Sequence, residues 1–202
     1  MQVRWVVKLG GSLALSSSLK PWLQALSRAG IVLVPGGGPF AEVVRAMQPA
    51  TRFDDSTAHA MALLAMAQYG LMLKGLCPRF TAQGLTALAS HSPASPPSLW
   101  LPDLTLLEHP DIAHSWQVTS DSLSVWLAAR LGIQNLLLIK SARWSHHSIH
   151  LTAAMDAGLV DTAFGDYRAR HPNLAVWLCH QEDHPHLARG LTHPEEVFTR
   201  LT

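Results

Sequence analysis

Apolar residues in this chain come in two kinds of run, and the two kinds alternate. Residues 3–8 are apolar apart from Arg4 and the closing Lys8, and residues 31–34 (Ile-Val-Leu-Val) are apolar without a break. Short unbroken runs of this kind, bounded by glycine, predict strands buried on both faces. Between them Leu19, Trp22, Leu23 and Leu26 fall at helical spacing, predicting a helix over 19–29. Ser16, Ser17 and Ser18 offer capping hydroxyls at its start, and Gly30 stops it. A second helix is predicted over 40–47, with Ala41, Val44 and Met47 turned inward. A longer one follows Asp54, Asp55 and Ser56, over 57–73.

The middle of the chain carries less signal. Residues 90–97 (Ser-His-Ser-Pro-Ala-Ser-Pro-Pro) read as a loop, because proline excludes regular pairing. Residues 99–101 suit a short strand. Periodicity returns where Ser120 or Asp121 caps a helix carrying Leu123, Trp126, Leu127 and Leu131, which Gly132 ends. Residues 136–139 and 174–178 predict two further strands, and 195–201 a last helix after Pro194. Strands alternating with helices imply an α/β fold with a largely parallel sheet covered on both faces. At 202 residues the chain suits one domain, and it shows no internal repeat.

Composition narrows the function classes. Hydrophobic residues make up 48% and charged residues 14%, which excludes a disordered chain. A net charge of +1 without a basic run gives no reason to expect nucleic acid. Cys77 and Cys179 are too few for a disulfide scaffold and fit a reducing cytoplasm. Lys8, Gly10 and Gly11 interrupt the N-terminal apolar segment before a secretory signal develops, and the apolar stretch 60–67 is too short to cross a bilayer. The expected setting is cytoplasmic, with a small-molecule ligand and no membrane partner.

The candidate chemistry lies where two predicted strands stop. Lys8-Leu9-Gly10-Gly11-Ser12 closes the first, and Pro35-Gly36-Gly37-Gly38-Pro39-Phe40-Ala41 closes the second. A strand that ends in glycines and hands over to a helix presents free backbone N–H groups beside a positive dipole, an arrangement that binds phosphate. No G-x-x-x-x-G-K-[ST] loop is present. Gly36, Gly38 and Ala41 fit the G-x-G-x-x-A dinucleotide fingerprint. Its ribose-binding acid, however, should close the next strand about 20 residues on, whereas Asp54 and Asp55 open a helix.

Taken together, the two loops resemble the amino acid kinase family, which includes acetylglutamate, aspartate, uridylate and isopentenyl phosphate kinases. Lys8-Leu9-Gly10-Gly11-Ser12 is similar to the family's K-[LFI]-G-G-S strand end, and Gly36-Gly37-Gly38 to its second, glycine-rich loop. Thr119-Ser120-Asp121-Ser122-Leu123 matches its Asp before an Ala/Leu-rich helix. Asp55-x-x-x-His59-x-Met61, Leu137-Leu138-Ile139-Lys140 and Leu159-Val160-Asp161-x-x-Phe164 resemble the small archaeal and methylotroph branch linked to methanofuran-type cofactor synthesis.

The resemblance implies a three-layer αβα sandwich. Its acceptor-side half would span about residues 1–115 and its nucleotide-side half about residues 116–202. It further implies ATP and Mg²⁺ as cofactors, a homodimer or higher homo-oligomer for which the apolar helix 58–73 offers a face, and phosphoryl transfer to a small phosphorylated or carboxylated metabolite such as an aminomethylfuran phosphate. Lys8, Asp121 and Lys140 then stand as catalytic candidates. Gly10, Gly11, Ser12 and Lys140 are candidates for the nucleotide, and Gly36, Gly37, Gly38, Asp55 and His59 for the acceptor.

The residue chemistry agrees. Lys8 can set an ammonium against a transferring phosphoryl group, and glycines let backbone N–H groups come close. Asp121 repels phosphate, so its task is to orient Lys8 and Lys140 or to hold Mg²⁺ through water. A plain N-cap explains it equally well, as it does Asp55, and His59 also reads as a core histidine.

Two departures bear on the nucleotide side. The G-G-M-x-x-K segment of longer family members is missing, and Lys140-Ser141-Ala142-Arg143 stands where T-D-V-x-G is usual. A non-catalytic, anion-binding or regulatory relative is therefore the alternative expectation. The histidine-rich segments 145–150 and 179–186 lack a recognised zinc spacing, so no metal site is assigned.

Overall fold

The computed structural model describes residues 5–90, 97–144 and 148–202. Val3 and Arg4 of the first predicted strand, most of the Ser/Pro loop, and His146 and His147 lie outside the described residues. In chain order the elements are β1 (Trp5–Leu9), α1 (Leu19–Leu26), β2 (Ile31–Pro35), α2 (Gly38–Thr51), α3 (Asp55–Leu76), β3 (Thr81–Gln83), α4 (Leu85–Ala89) and β4 (Ser98–Trp100). There follow α5 (Ser120–Arg130), β5 (Asn135–Lys140), β6 (Ser148–Ile149), α6 (Leu151–Asp156), α7 (Phe164–Arg170), β7 (Ala175–His180), α8 (Leu187–Gly190), α9 (Pro194–Val197) and β8 (Thr199–Leu201).

The strands form one sheet in the order β3-β4-β2-β1-β5-β7-β8-β6, parallel throughout except where β8 runs antiparallel to β7. The unbroken apolar runs explain why it is buried on both sides. Val6, Val32, Leu138 and Val176 point into one core with Leu123, Trp126 and Phe164 of α5 and α7. Val7, Leu33, Ile139 and Cys179 point into the other with Leu19, Trp22 and Leu26 of α1. Helix α3 reaches both cores, through Leu63 and Met66 on one side and Tyr69 and Leu73 on the other. Helices on both faces of the sheet make the expected three-layer α/β sandwich. Among the described residues no helix is long and apolar enough to cross a membrane.

Register places the chemistry. Leu9 of β1 lies between Pro35 of β2 and Ile139 of β5, so both glycine loops and Lys140 emerge at one edge of the sheet. Ligands bind at such carboxyl ends of parallel strands.

Several local expectations are corrected. The first glycine loop feeds a single 3-10 turn, Gly11–Leu15, rather than an α-helix. Helix α1 stops at Leu26, three residues short of the expected end. Helix α2 runs on to Thr51 with Pro49 in its last turn, and Arg52 closes it in the left-handed region at φ 60°. The predicted final helix is mostly strand. Residues 194–197 make one turn, after which Thr199–Leu201 pairs with β7, Leu201 opposite Val176. A stretch this short has no helical periodicity of its own, and burial of Leu201 and Phe198 against the sheet decides its conformation.

Candidate active site

The two glycine loops touch. Gly10 N donates to Ile139 O at 3.2 Å and Gly36 N to Leu9 O at 3.0 Å, so each loop leaves the sheet still tied to it. A Cβ on Gly11 would lie 2.3 Å from Gly38 N, and one on Gly36 would lie 2.4 Å from Gly11 N. Only glycine lets the loops close into a single wall. Gly38 also holds φ at +56°, where a side chain is strained.

Beside this wall opens a cleft of about 730 Å³. Lys8, Gly10, Gly11, Ser12 and Lys140 line its inner end, with Ser141 nearby. Ser12 and Ser141 share a hydroxyl hydrogen bond of 2.8 Å, which links the first loop to the end of β5. The outer end is formed by α2 and α3 and by Trp116 and Val118.

Asp121 lies beneath the inner end and holds both lysines. Its Oδ2 accepts from Lys140 Nζ at 2.6 Å, and its Oδ1 is 3.0 Å from Lys8 Nζ, the latter an ion pair without hydrogen-bond directionality. All three side chains are nearly buried, at 7%, 8% and 12% exposure for Lys8, Asp121 and Lys140. Burial alone would push the Asp121 carboxyl up, but the two ammonium groups outweigh it and hold it below the usual carboxylate range. Lys140 moves down to about 8, first because burial disfavours its charge and then because Lys8 repels it, with Asp121 opposing both.

A second buried carboxylate fixes this arrangement. Asp161 accepts from Thr119 N at 2.9 Å, Thr119 Oγ1 at 2.7 Å and Ser122 N at 3.1 Å, and also from the Ser122 hydroxyl. These bonds clamp the first turn of α5, which carries Asp121. Burial, with repulsion from Asp121 second, raises the Asp161 carboxyl above its ordinary value.

Of the residues singled out by sequence, Lys8, Gly10, Gly11, Ser12, Gly37, Gly38, His59 and Lys140 all line the cleft. Gly36 packs behind Gly11 instead. Asp55 is not brought to the cleft: it is exposed at the start of α3, where it accepts from Gln48 Nε2 at 2.8 Å. The cap of that helix is Asp54, which accepts from Thr57 N. The cap of α5 is Thr119, neither Ser120 nor Asp121, so capping does not account for Asp121. Both oxygens of Asp121 face lysines, which favours its orienting task over water-mediated metal binding. Arg143 turns away to Glu182 at 2.5 Å.

Sequence reasoning missed Arg45, Trp116, Thr119 and Ser120 as cleft residues. Arg45 could have been found, because it stands one helical turn beyond Ala41 on the helix that the second loop opens. Asp161 was noted only as part of a resemblance, and nothing local marks it as the clamp on α5.

Over 139 residues, 66% of this chain, the sequence is 32% identical to [5-(aminomethyl)furan-3-yl]methyl phosphate kinase of Methanocaldococcus jannaschii. The match spans 63% of that relative's length. The fold matches UMP kinase from Ureaplasma parvum with a TM-score of 0.71 and 12% identity, covering 100% of both chains. It matches UMP kinase from Bacillus anthracis with a TM-score of 0.72 and 16% identity, covering 100% of this chain and 97% of that one. The chain shares the fold of the UMP kinases and is similar in sequence to the phosphate kinase of Methanocaldococcus jannaschii over part of its length. No family model matches the sequence.

Lys8 and the glycines meet Lys140 over Asp121, although they lie more than a hundred residues apart in sequence. The fold is similar to that of the UMP kinases across the whole chain. Among the described residues, the metal-ligating side chains that come together in a group of three are His193, Glu195 and Glu196, all exposed and none lining the cleft. His180 is instead engaged with Ser141 O at 3.2 Å.

Proposed function

We propose that this chain is an ATP-dependent kinase that phosphorylates the phosphate group of a small phosphomonoester of the aminomethylfuran phosphate class. The observation that carries this reading is the buried Lys8–Asp121–Lys140 bridge at the inner end of the glycine-walled cleft. Two cations, kept in place by one carboxylate before any ligand arrives, suit a reaction that needs positioning and charge neutralisation more than covalent chemistry. The relative's name supplies the acceptor class.

In the proposed reaction an oxygen of the acceptor phosphate attacks the γ-phosphorus of ATP. The new P–O bond forms as the bond to the β–γ bridging oxygen breaks, and ADP leaves with that electron pair. Gly10, Gly11 and Ser12 hold donor phosphates through backbone N–H groups, Gly37 and Gly38 face the acceptor, and Lys8 and Lys140 neutralise charge on the transferring group. Mg²⁺, when bound with the nucleotide, would supply further neutralisation of the phosphate charge. Asp121 and Asp161 are already engaged by lysines and by the start of α5, so the ion fits as the nucleotide's companion rather than as a metal held by buried carboxylates.

The chain acts as one domain, with its first 115 residues or so serving the acceptor and the remainder the nucleotide. It pairs with a second copy through α3, where Leu64 and Leu71 stand 43% and 57% exposed. Cys77 and Cys179 are unpaired, in keeping with a reducing cytoplasm. The missing G-G-M-x-x-K segment favours a second reading, an anion-binding relative without turnover. Release of ADP from ATP on addition of aminomethylfuran phosphate supports the kinase. Tight acceptor binding with neither ATP binding nor ADP release supports the alternative.

A further inference from the structure

One polar group in the cleft is left without a partner. His59 sits on the face of α3 that also presents Ala62, Leu63 and Met66 to the cleft, and it is only 4% exposed. Its Nε2 has no hydrogen-bond partner among the described residues. A buried nitrogen in that condition is costly unless a ligand completes it.

The surroundings decide which kind of ligand group it wants. The ring stacks on His114 at a centroid distance of 5.4 Å and an interplanar angle of 11°, and His114 Nδ1 lies 2.9 Å from Ser56 Oγ. Burial first, and then the neighbouring His114, disfavour the charged form, while the carbonyl of Ser115 accepts from the ring. With one ring nitrogen donating to Ser115 and no second proton, Nε2 offers a lone pair. The carboxylate that lines the same outer end belongs to Glu42. Arg45 stays over the Trp116 ring, 4.5 Å from its centroid, and Trp116 Nε1 donates to Gln48 Oε1 at 2.5 Å. The outer end therefore presents the His59 lone pair and the Glu42 carboxylate beside an apolar wall, with Arg45 4.0 Å from Glu42 and drawn over the Trp116 ring, whereas the inner end presents two lysines to the cleft.

We propose that His59 Nε2, backed by Glu42, receives a primary ammonium at the far end of the acceptor, and so sets the enzyme's preference for an amine-bearing phosphomonoester. This inference rests on the kinase reading for the orientation of the acceptor, phosphate inward and amine outward. The apolar side chains of α3 lie between the two ends and suit a small ring. A charged donor on a buried neutral acceptor favours the right ligand by roughly tenfold to a hundredfold.

The test compares three acceptors, [5-(aminomethyl)furan-3-yl]methyl phosphate and its 5-hydroxymethyl and 5-methyl counterparts. Binding is measured by calorimetry without ATP, and turnover by ADP release. With the unaltered protein the amine is expected to bind at least tenfold more tightly than either analogue. His59→Leu is expected to bring the amine-to-methyl ratio close to one, and His59→Gln, which keeps an acceptor oxygen, to restore part of it. Equal binding of all three acceptors overturns the proposal, as does an amine preference that survives in His59→Leu. Turnover without amine preference refutes the His59 assignment and leaves the kinase standing. Amine-selective binding without turnover refutes the kinase and leaves the assignment standing.

Discussion

At the inner end of the cleft Lys8, Asp121 and Lys140 are almost wholly buried, while at the outer end the side chains of Glu42 and Arg45 are 72% and 52% exposed and 4.0 Å apart. Both ends contain opposite charges, yet they obey different physics. At the inner end each charge has lost its water, so removing the shared carboxylate strands both lysines at a cost of roughly 3–5 kcal/mol. At the outer end solvent screens the pair, which is worth at most about 1 kcal/mol. The inner charges are therefore part of the folded structure as well as of the site, and the outer ones are free to serve the ligand.

The sharpest way to break this contrast is Asp121→Ala. It leaves two ammonium groups facing each other without a counter-charge, so phosphoryl transfer should be lost and urea unfolding should show a loss of roughly 3–5 kcal/mol. Lys8→Ala leaves the Asp121–Lys140 pair intact. It should therefore fold, with kcat reduced by roughly 10²–10³-fold in an ADP-release assay. Gly11→Ala tests the wall itself. Its Cβ would meet Gly38 N at 2.3 Å, and the two loops should separate at a cost of roughly 1–3 kcal/mol in thermal unfolding, with ATP binding weakened in parallel.

A smaller effect should appear in the pH dependence. The folded Lys140 loses its proton near pH 8, below the ordinary lysine value, so it is charged below that pH and neutral above it. Values of kcat/KM for ATP, which report the free protein, should fall as pH rises through about 8. Bound nucleotide adds negative charge and raises the group, so kcat should fall only at higher pH. Lys140→Arg should remove the early fall. For folding the sign is opposite: between about pH 8 and the unfolded value, the unfolded chain holds more protons at this position, so the Lys140 contribution to stability rises with pH. The smallest effect belongs to the outer end. Glu42→Gln should raise the acceptor KM severalfold with a lesser change in kcat, and should shift stability by less than about 1 kcal/mol.

The two ends also differ in how far the sequence revealed them. The inner end was legible because glycine after an unbroken apolar run has few explanations, and Lys8 and Lys140 stand at strand ends. The parallel sheet then brought together what the chain separates. The outer end was not legible in the same way. Trp116 lies in an irregular segment without periodicity, and its place in the cleft depends on tertiary contacts with Gln48 and Arg45. Asp55 illustrates the reverse error, a motif residue at the right spacing that packing leaves on the surface. Strands β3, β6 and β8 escaped notice because pairing with neighbours, rather than their own composition, makes them strands.

The central claim is that the buried bridge serves phosphoryl transfer onto a phosphate. Phosphorus NMR of the protein incubated with ATP, Mg²⁺ and [5-(aminomethyl)furan-3-yl]methyl phosphate tests it most directly. The account predicts paired diphosphate resonances of a new product growing together with ADP, and their loss in Lys8→Ala. Unchanged acceptor phosphate with the unaltered protein, or equal product from Lys8→Ala, would contradict it.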